Sequence, residues 1–467
     1  MRIKNDIICD GLFWLPENED KKIPGTIFIK ENEKIYLELK GIFKEELGDS
    51  SESEFGVIFG YVEKLNSITL SNSFYINTNL NFGGYGTSSA KLLVNQVYSG
   101  AFLASPDECL FDSITFSCDH LDDWIGISGI DVKRAKGDEP HAIYYKAPEN
   151  ILIKLGDRIN LSVIFSYGMS GFKSITEAKF TQNTYLKLNS EVPLKISEFE
   201  SLAYKIVKFI SLGVGCPLVL SELTGKLSDN TVGESVSFYP ESNQIKIFYQ
   251  SAVYCDKKNI LLNEMNFNFD RVHCDISAYI NSWINIYDRL KPAVELYFSS
   301  FSGRSPLVEA RFLSLAQGLE TFHRRISDEK YIDEEKFHEL VGDILKHCPE
   351  EHIKWLDGRL KHGNEINLNT RLLRLVSQFG SIVGDEKTIN KLTRKITTTR
   401  NYKTHYSDSN EKAALSGIKL YKMVIFMECL FMLLFFKEIG FNNELIEKIC
   451  SMRNGLLSRN LKYALSE

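Results

Sequence analysis

The chain has 467 residues, of which 43% are hydrophobic and 25% charged, a composition typical of a globular protein with room for about two or three domains. Its net charge of −6 excludes a uniformly basic surface, so a nucleic acid would have to bind a local basic patch. The nine cysteines include no C-x-x-C pair, which argues against a zinc site and a disulfide framework and favours the cytoplasm.

Residues 1–190 are predicted to form a β-rich domain of the sandwich or barrel type. In KIYLELKG, apolar and other residues alternate strictly, as in a strand with one buried face. NILIKLGDRINLSVIF predicts a hairpin that turns at Gly156 and Asp157. GFKSITEAKFTQNTYLKLNS predicts two more short strands.

Residues 191–270 are predicted to mix helix and strand. Apolar residues recur at helical spacing from Ile196, and Gly213 and Gly215 are predicted to end that helix. Strand patterns return between residues 217 and 269. This part either belongs to the first domain or bridges it to the next.

Residues 271–467 are predicted to be all-helical, with a compact bundle over about 303–467. ISAYINSWINIYDRLKPAVELYFSSF reads as one amphipathic stretch broken at Pro292. The next helix has a polar stripe of Gln317, Glu320 and Arg324 beside its apolar stripe. That apolar stripe comprises Phe312, Leu315, Leu319 and Phe322.

The segment Met423–Phe436 is strongly apolar but contains Glu428 and lies between two lysines. It is shorter than the ~20 residues of a membrane span. It therefore predicts a helix buried in a core or in an interface, and no membrane association.

A candidate site lies in the segment TTTRNYKTHYSDSN, where Arg400, Asn401 and His405 are close in sequence. A helix is predicted to begin after Asp385 and to end between Arg400 and His405. Five residues of regular helix rotate a side chain by about 140°, so the two side chains would converge only if His405 lay on the following turn.

These residue types suit the cleavage of RNA without a metal. Histidine can take the proton of the ribose 2′-OH or give one to the leaving oxygen, and arginine can bind the scissile phosphate. Asparagine can orient either partner. Because this route uses the 2′-OH, the products would end in a 2′,3′-cyclic phosphate, and neither metal nor cofactor is expected.

A local basic patch surrounds these residues. No acid occurs between Lys387 and Ser407, and the patch is predicted to contact the RNA backbone. The alternative is a basic helix end that interacts with the helix dipole. The predicted RNA-binding residues are Lys391, Arg394, Lys395 and Lys403.

The chain also resembles a known family. RNYKTH, followed by an apolar helix, resembles the R-x(4–6)-H motif of HEPN ribonucleases, and LVEARFLSLAQGLETFHR resembles the corresponding helix of the ApeA-like HEPN group. GLFWLPENEDKKIPGTIFI, KIYLELKG and LFDSITFSCDHLDDWIG are similar to the N-terminal domain found in ApeA.

The resemblance implies a bacterial abortive-infection protein whose HEPN domain cuts host tRNA when the β-rich domain senses a phage-derived trigger. Arg400 and His405 match the catalytic pair, Asn401 matches the adjacent polar position and Glu320 matches a recurring acid of the upstream helix. Glu320 could instead form only an ion pair with Arg324. HEPN relatives build composite sites from two copies, so a homodimer through the helical domain is expected.

Two other functions stay open. A catalytically silent HEPN module could bind RNA or a partner protein, although such a module would have no need of both Arg400 and His405. Alternatively, ligand binding by the β-rich domain could be the main role.

Overall fold

The computed structural model describes residues 1–31, 33–43, 54–80, 88–135, 140–169, 176–229, 243–249, 259–301, 307–406 and 411–466. It divides into two compact units, Met1–Ile284 and Asn285–Glu467. The predicted fold class, a β-rich region followed by a helical one, is confirmed. The predicted boundaries near residues 190 and 270 stay a prediction.

In its described residues, the first unit is built on one antiparallel sheet of twelve strands and a separate pair of antiparallel strands. The strands are β1 (Ile7–Trp14), β2 (Ile23–Ile29), β3 (Ile35–Leu39), β4 (Glu54–Val62), β5 (Asn66–Asn79), β6 (Ser89–Ser99), β7 (Leu110–Cys118), β8 (Ile130–Lys133), β9 (Ala142–Tyr145), β10 (Ile151–Leu155), β11 (Ile159–Met169), β12 (Phe180–Lys195), β13 (Leu220–Leu227) and β14 (Gln244–Tyr249).

Six of these strands close into a barrel in the order β6-β3-β2-β1-β4-β5, because β5 also pairs with β6. Alternating side chains fill its interior, since successive residues of a strand face opposite sides. Phe13, Ile27, Leu37, Ile58 and Leu92 are each 0% exposed. The alternation predicted for KIYLELKG is thus the alternation of a barrel strand.

The sheet continues from β6 through β14, β13, β7, β12, β11 and β10. The hairpin predicted at Gly156 is confirmed, with Ile153 opposite Leu161 and both buried. Of the two short strands predicted in the segment that begins at Gly171, the second is part of the longer strand β12, and residues 171–175 lie outside the described residues. No glycine or proline interrupts β12 before Pro193, and a register shift between Asn189 and Leu194 accommodates its bend.

The helices of the first unit are α1 (Leu121–Ile125), α2 (Ile196–Val214) and α3 (Phe269–Val272), and α4 (Ile276–Arg289) begins in it. Helix α2 runs through Gly213 and ends at Gly215, whose φ of +87° favours glycine. Gly213 is required for a close approach, because a Cβ there would lie 2.4 Å from the indole nitrogen of Trp124. Strands β13 and β14 lie inside the main sheet, between β7 and β6.

The second unit is helical. Its helices are α5 (Lys291–Ser299), α6 (Val308–Ile326), α7 (Glu334–Lys346), α8 (Glu350–Leu360), α9 (Leu368–Val376), α10 (Gly380–Val383), α11 (Glu386–His405), α12 (Gly417–Ile439), α13 (Asn443–Ser451) and α14 (Leu456–Leu465). The predicted break near Pro292 is confirmed, because α4 ends at Arg289 and α5 starts at Lys291.

Helices α6 and α12 form the core of this unit. All four residues of the predicted apolar stripe on α6 are 0% exposed. Every residue from Met423 to Phe436 on α12 is buried within the one chain, including Glu428, which forms an ion pair with Arg311. The apolar run is therefore a core helix, and it needs no second copy to cover it. None of the helices in the described part of the chain combines the length and apolar character of a membrane span.

Candidate functional site

Helix α11 carries the candidate site and is longer than predicted. The side chain of Asp385 caps its start by accepting a hydrogen bond from the amide of Thr388 at 2.9 Å. The helix was expected to end between Arg400 and His405, and this is wrong: it continues through His405 and ends at Tyr406, whose φ is +49°. No glycine or proline interrupts residues 386–405, and the hydroxyl of Thr404 bonds within the helix by donating to the carbonyl oxygen of Arg400. Residues 407–410, where the break was predicted to continue, lie outside the described residues.

The unbroken helix separates the two central residues of the motif. Arg400 and His405 project about 140° apart around the axis, since a regular helix turns by about 100° per residue. Arg400 is half-buried and faces α6, whereas His405 is exposed. One copy of the chain therefore does not bring the guanidinium and the imidazole together on one face of α11.

Two neighbours orient the guanidinium of Arg400. Its Nη2 lies 3.5 Å from Oε2 of Glu320 on α6, and its Nη1 donates to Oδ1 of Asn401 at 3.3 Å. The side chains of Arg400 and Glu320 retain 34% and 21% of their exposure, so the pair lies at the surface and screening limits its contribution to stability. The guanidinium is held in place and still accessible to an anion.

Glu320 contacts both Arg400 of the candidate site and Arg324, the ion-pair partner considered as its alternative. Its Oε2 accepts from Arg400, and its Oε1 lies 3.2 Å from Nη2 of Arg324. Arg324 also pairs with Glu365, which follows α8. Hydrogen bonding to Arg324 lowers the pKa of Glu365 and keeps its carboxylate charged. A chain of alternating charges thus runs from Arg400 through Glu320 and Arg324 to Glu365.

The chain of charges continues into the interior through two residues that sequence reasoning missed. Arg371 lies 3.6 Å from Glu365 and donates from Nη1 to Nδ1 of His323 at 3.2 Å. Both Arg371 and His323 are nearly inaccessible, at 3% and 2%. Burial, and then the charge of Arg371, lower the pKa of His323, so its imidazole is a neutral acceptor. Arg371 falls where the 3.6-residue pattern marks a buried position, which is the only sequence signal for it.

The predicted RNA-binding residues differ in accessibility. Arg394 is exposed on α11. The ammonium of Lys403 lies 3.6 Å from Glu309 on α6, and its side chain is only 10% exposed. Lys391 and Lys395 line a cavity of about 320 Å³ between α11 and α12.

The described residues contain no group of three or more histidine, cysteine, aspartate or glutamate side chains placed to hold a metal ion. An oriented guanidinium can stabilise a phosphorane-like charge, and an exposed imidazole can move a proton at neutral pH.

Comparison with known families gave two matches. Residues 8–283 match the model described as ApeA N-terminal domain 1, which alone covers more than half of the 467 residues. Residues 313–445 match the model described as Apea-like HEPN, and this range includes Glu320, Arg400 and His405. No curated protein and no solved structure matched the chain.

Proposed function

The chain belongs to the ApeA family, and on this premise we propose that it is an anti-phage effector whose helical unit cleaves RNA without a metal. An ApeA-like HEPN domain supports an anti-phage effector in general, and HEPN domains are usually ribonucleases. The proposed substrate is host tRNA in the cytoplasm, and the proposed trigger is a phage component that acts on the β-rich unit. The observation that carries the proposal is the oriented, accessible guanidinium of Arg400 on the same helix as the exposed His405.

Each residue has a role that its surroundings support. Arg400 binds the scissile phosphate and stabilises the charge that develops on it, while Glu320 and Asn401 fix the direction of its guanidinium. His405 exchanges a proton with the 2′-OH or with the leaving 5′-oxygen. Asn401 thus acts through Arg400 in a single copy.

Two copies of the chain are part of the proposal. Arg400 and His405 project about 140° apart on α11, so a site that needs both would take them from two helices. HEPN domains often dimerise, and a facing copy would bring the His405 of one helix to the Arg400 of the other. The homodimer stays a prediction and does not depend on the apolar residues of α12.

The experiment compares the purified wild-type chain with His405→Ala on total tRNA in excess EDTA. We expect the wild type to cleave RNA but not the matching DNA, and to leave a 2′,3′-cyclic phosphate. Arrest by EDTA, cleavage of DNA, or an unchanged rate in His405→Ala would contradict the proposal. Binding of RNA without cleavage would indicate the silent HEPN module instead.

A further inference from the structure

A cavity of about 320 Å³ lies between α11 and α12. Four lysines line it: Lys391, Lys395, Lys419 and Lys422. We call this cavity the lysine pocket. It lies at the lower end of the range for ligand sites, about 300–1,000 Å³, so it has room for one small ligand.

Among the described residues, the charged side chains that line the lysine pocket are all lysines. No carboxylate lines it among the described residues, and in that part of the chain Lys391, Lys395 and Lys419 form no ion pair. Lys422 donates to the carbonyl and hydroxyl oxygens of Ser466. In a chain of net charge −6, this concentration of positive charge favours an anionic ligand.

The rest of the lining is apolar. Met423 and Phe426 are buried beneath the lysines, and Leu415 adds to the same wall. Ile418 lies at the pocket and is 61% exposed, which is unusual for isoleucine. A ligand that fits these walls has a flat apolar part and an attached anion, and a nucleotide has both.

The position of the pocket on α11 relates it to the candidate site. Lys391, Lys395 and Tyr402 lie within about 40° of one another around the helix, and His405 follows within about 60° of Tyr402. His405 lies about 15 Å along the axis from Lys395. Tyr406, 69% exposed, packs edge-on against Tyr402 with ring centroids 5.5 Å apart. Lysines and accessible aromatic rings near one another are typical of single-stranded nucleic-acid binding.

We infer that the lysine pocket binds one unpaired nucleotide of the RNA substrate, with its base against Ile418 and its phosphates on Lys391 and Lys395. This inference rests on the proposed ribonuclease function and specifies its substrate: RNA with an exposed loop or end. A fully paired helix cannot place a base in the pocket, because its bases are stacked and paired.

The test measures RNA binding by the full-length His405→Ala chain, so that the RNA stays intact. The probes are an RNA hairpin with an unpaired loop, a fully paired duplex of the same length, and an equimolar mixture of the four 5′-mononucleotides. We expect the hairpin to bind at least about tenfold more tightly than the duplex, as base stacking allows. Equal affinity for hairpin and duplex would overturn the inference, and binding of mononucleotides as tightly as the hairpin would assign the pocket to a free nucleotide.

Variants of the lysine pocket test which of its residues bind the phosphates and which contacts the base. Adding Lys391→Ala and Lys395→Ala should weaken hairpin binding by about tenfold or more and reduce the slope of log affinity against log salt by about 1.4, at about 0.7 per phosphate contact. Adding Ile418→Ser should lower the preference for the hairpin and leave that slope unchanged. A misfolded variant would change the salt slope and the preference for the hairpin together, so it would not separate these two measurements.

The matched control removes the same charge elsewhere. Lys361 and Lys448 are exposed and lie outside the pocket, and replacing both by alanine should leave affinity and slope nearly unchanged. An equal loss of affinity and slope in this control would show that any exposed lysine contributes as much as those of the lysine pocket, and it would overturn the inference. If the chain prefers the hairpin but the wild type cuts no RNA, the ribonuclease proposal is refuted and the proposed role of the lysine pocket is retained. If the wild type cuts RNA but the chain shows no preference for the hairpin, the proposed role of the pocket is refuted and the ribonuclease proposal is retained.

Discussion

The two faces of helix α11 differ in how their charges are used. On the face toward α6, Arg400 pairs with Glu320 and Lys403 pairs with Glu309. On the other face, His405 is exposed, and Lys391, Lys395 and Lys419 of the pocket form no ion pair in the described part of the chain. The first face is preorganised by its own protein partners, and the second is open to an external anion. We interpret them as two halves of one ribonuclease site.

The largest expected effect on cleavage comes from replacing Arg400 on one face of α11 or His405 on the other. Arg400→Ala and His405→Ala should each lower the rate of RNA cleavage by at least about a hundredfold, the usual effect of losing a charge-stabilising donor or a general acid–base group. The two variants should differ in stability. His405 is exposed, so His405→Ala should change the free energy of unfolding by less than about 1 kcal/mol.

Arg400→Ala leaves Glu320 with Arg324 as its partner and should cost somewhat more stability than His405→Ala. Urea unfolding and single-turnover cleavage of the same preparations check both statements. If either variant cleaved RNA at the wild-type rate, the corresponding face of α11 would not belong to the site.

The carboxylates of α6 offer a matched pair of variants. Glu320→Gln removes the charge that orients Arg400 and should slow cleavage by about tenfold, because a misdirected guanidinium stabilises the transition state less well. Glu309→Gln removes a contact of similar length to Lys403 and should leave the rate within about twofold, since this ion pair does not orient Arg400 and the Glu309 side chain is half exposed. Equal losses in the two variants would show that Glu320 has no special role.

Thr399 tests how much a buried hydrogen bond of α11 contributes to stability. Its side chain is 0% exposed, and its hydroxyl accepts a hydrogen bond from the amide of Leu415 at 3.0 Å. Thr399→Val keeps the shape but leaves that buried amide unpaired, which should cost about 1–3 kcal/mol of stability. Thr397→Val, on the same helix and only half-buried, should cost less. Urea midpoints that fall equally in both variants would contradict this.

The smallest expected effect concerns pH. Burial and the neighbouring Arg371 lower the pKa of His323 below its ordinary 6.5, so protonation favours the unfolded chain. This histidine therefore stabilises the helical unit above about pH 6.5, and that contribution is lost as the pH falls. Between about pH 7.5 and pH 5.5 the wild type should lose more stability than His323→Gln, whose amide still offers Arg371 an acceptor. Parallel pH profiles of the two urea midpoints would contradict the assignment.

Much of the fold follows from periodicity in the sequence. The period-two alternation in KIYLELKG predicted a strand with one buried face, and the helical spacing on α6 predicted its buried stripe. The closure of the sheet between β5 and β6 could not be predicted, because pairing partners depend on contacts far apart in sequence. The length of β12 could not be predicted, because it depends on pairing with β11 along its first part and with β7 along its second.

The residues of the candidate site could be named from the sequence, but their arrangement could not. A break was expected after Asn401, whereas the hydroxyl of Thr404 bonds within the helix, and the helix ends at Tyr406 in a left-handed conformation. The partners of Arg400 lie far from it in sequence, on α6. The buried pair of His323 and Arg371 had no signal beyond helical periodicity, because a charged residue at a core position is rarely predicted.

The most direct test of the account mixes the two inactive variants. The arginine half and the histidine half lie on different faces of one α11, so a mixed dimer of Arg400→Ala with His405→Ala keeps one intact pairing across the two copies. After the two variants are unfolded and refolded together, we predict recovery of roughly a quarter of the wild-type cleavage rate, since about half of randomly assorted dimers are mixed and each holds one of two sites. Cleavage no higher than in either variant alone, with mixed dimers demonstrated by differential tagging, would contradict the claim that the two faces complete one site between copies.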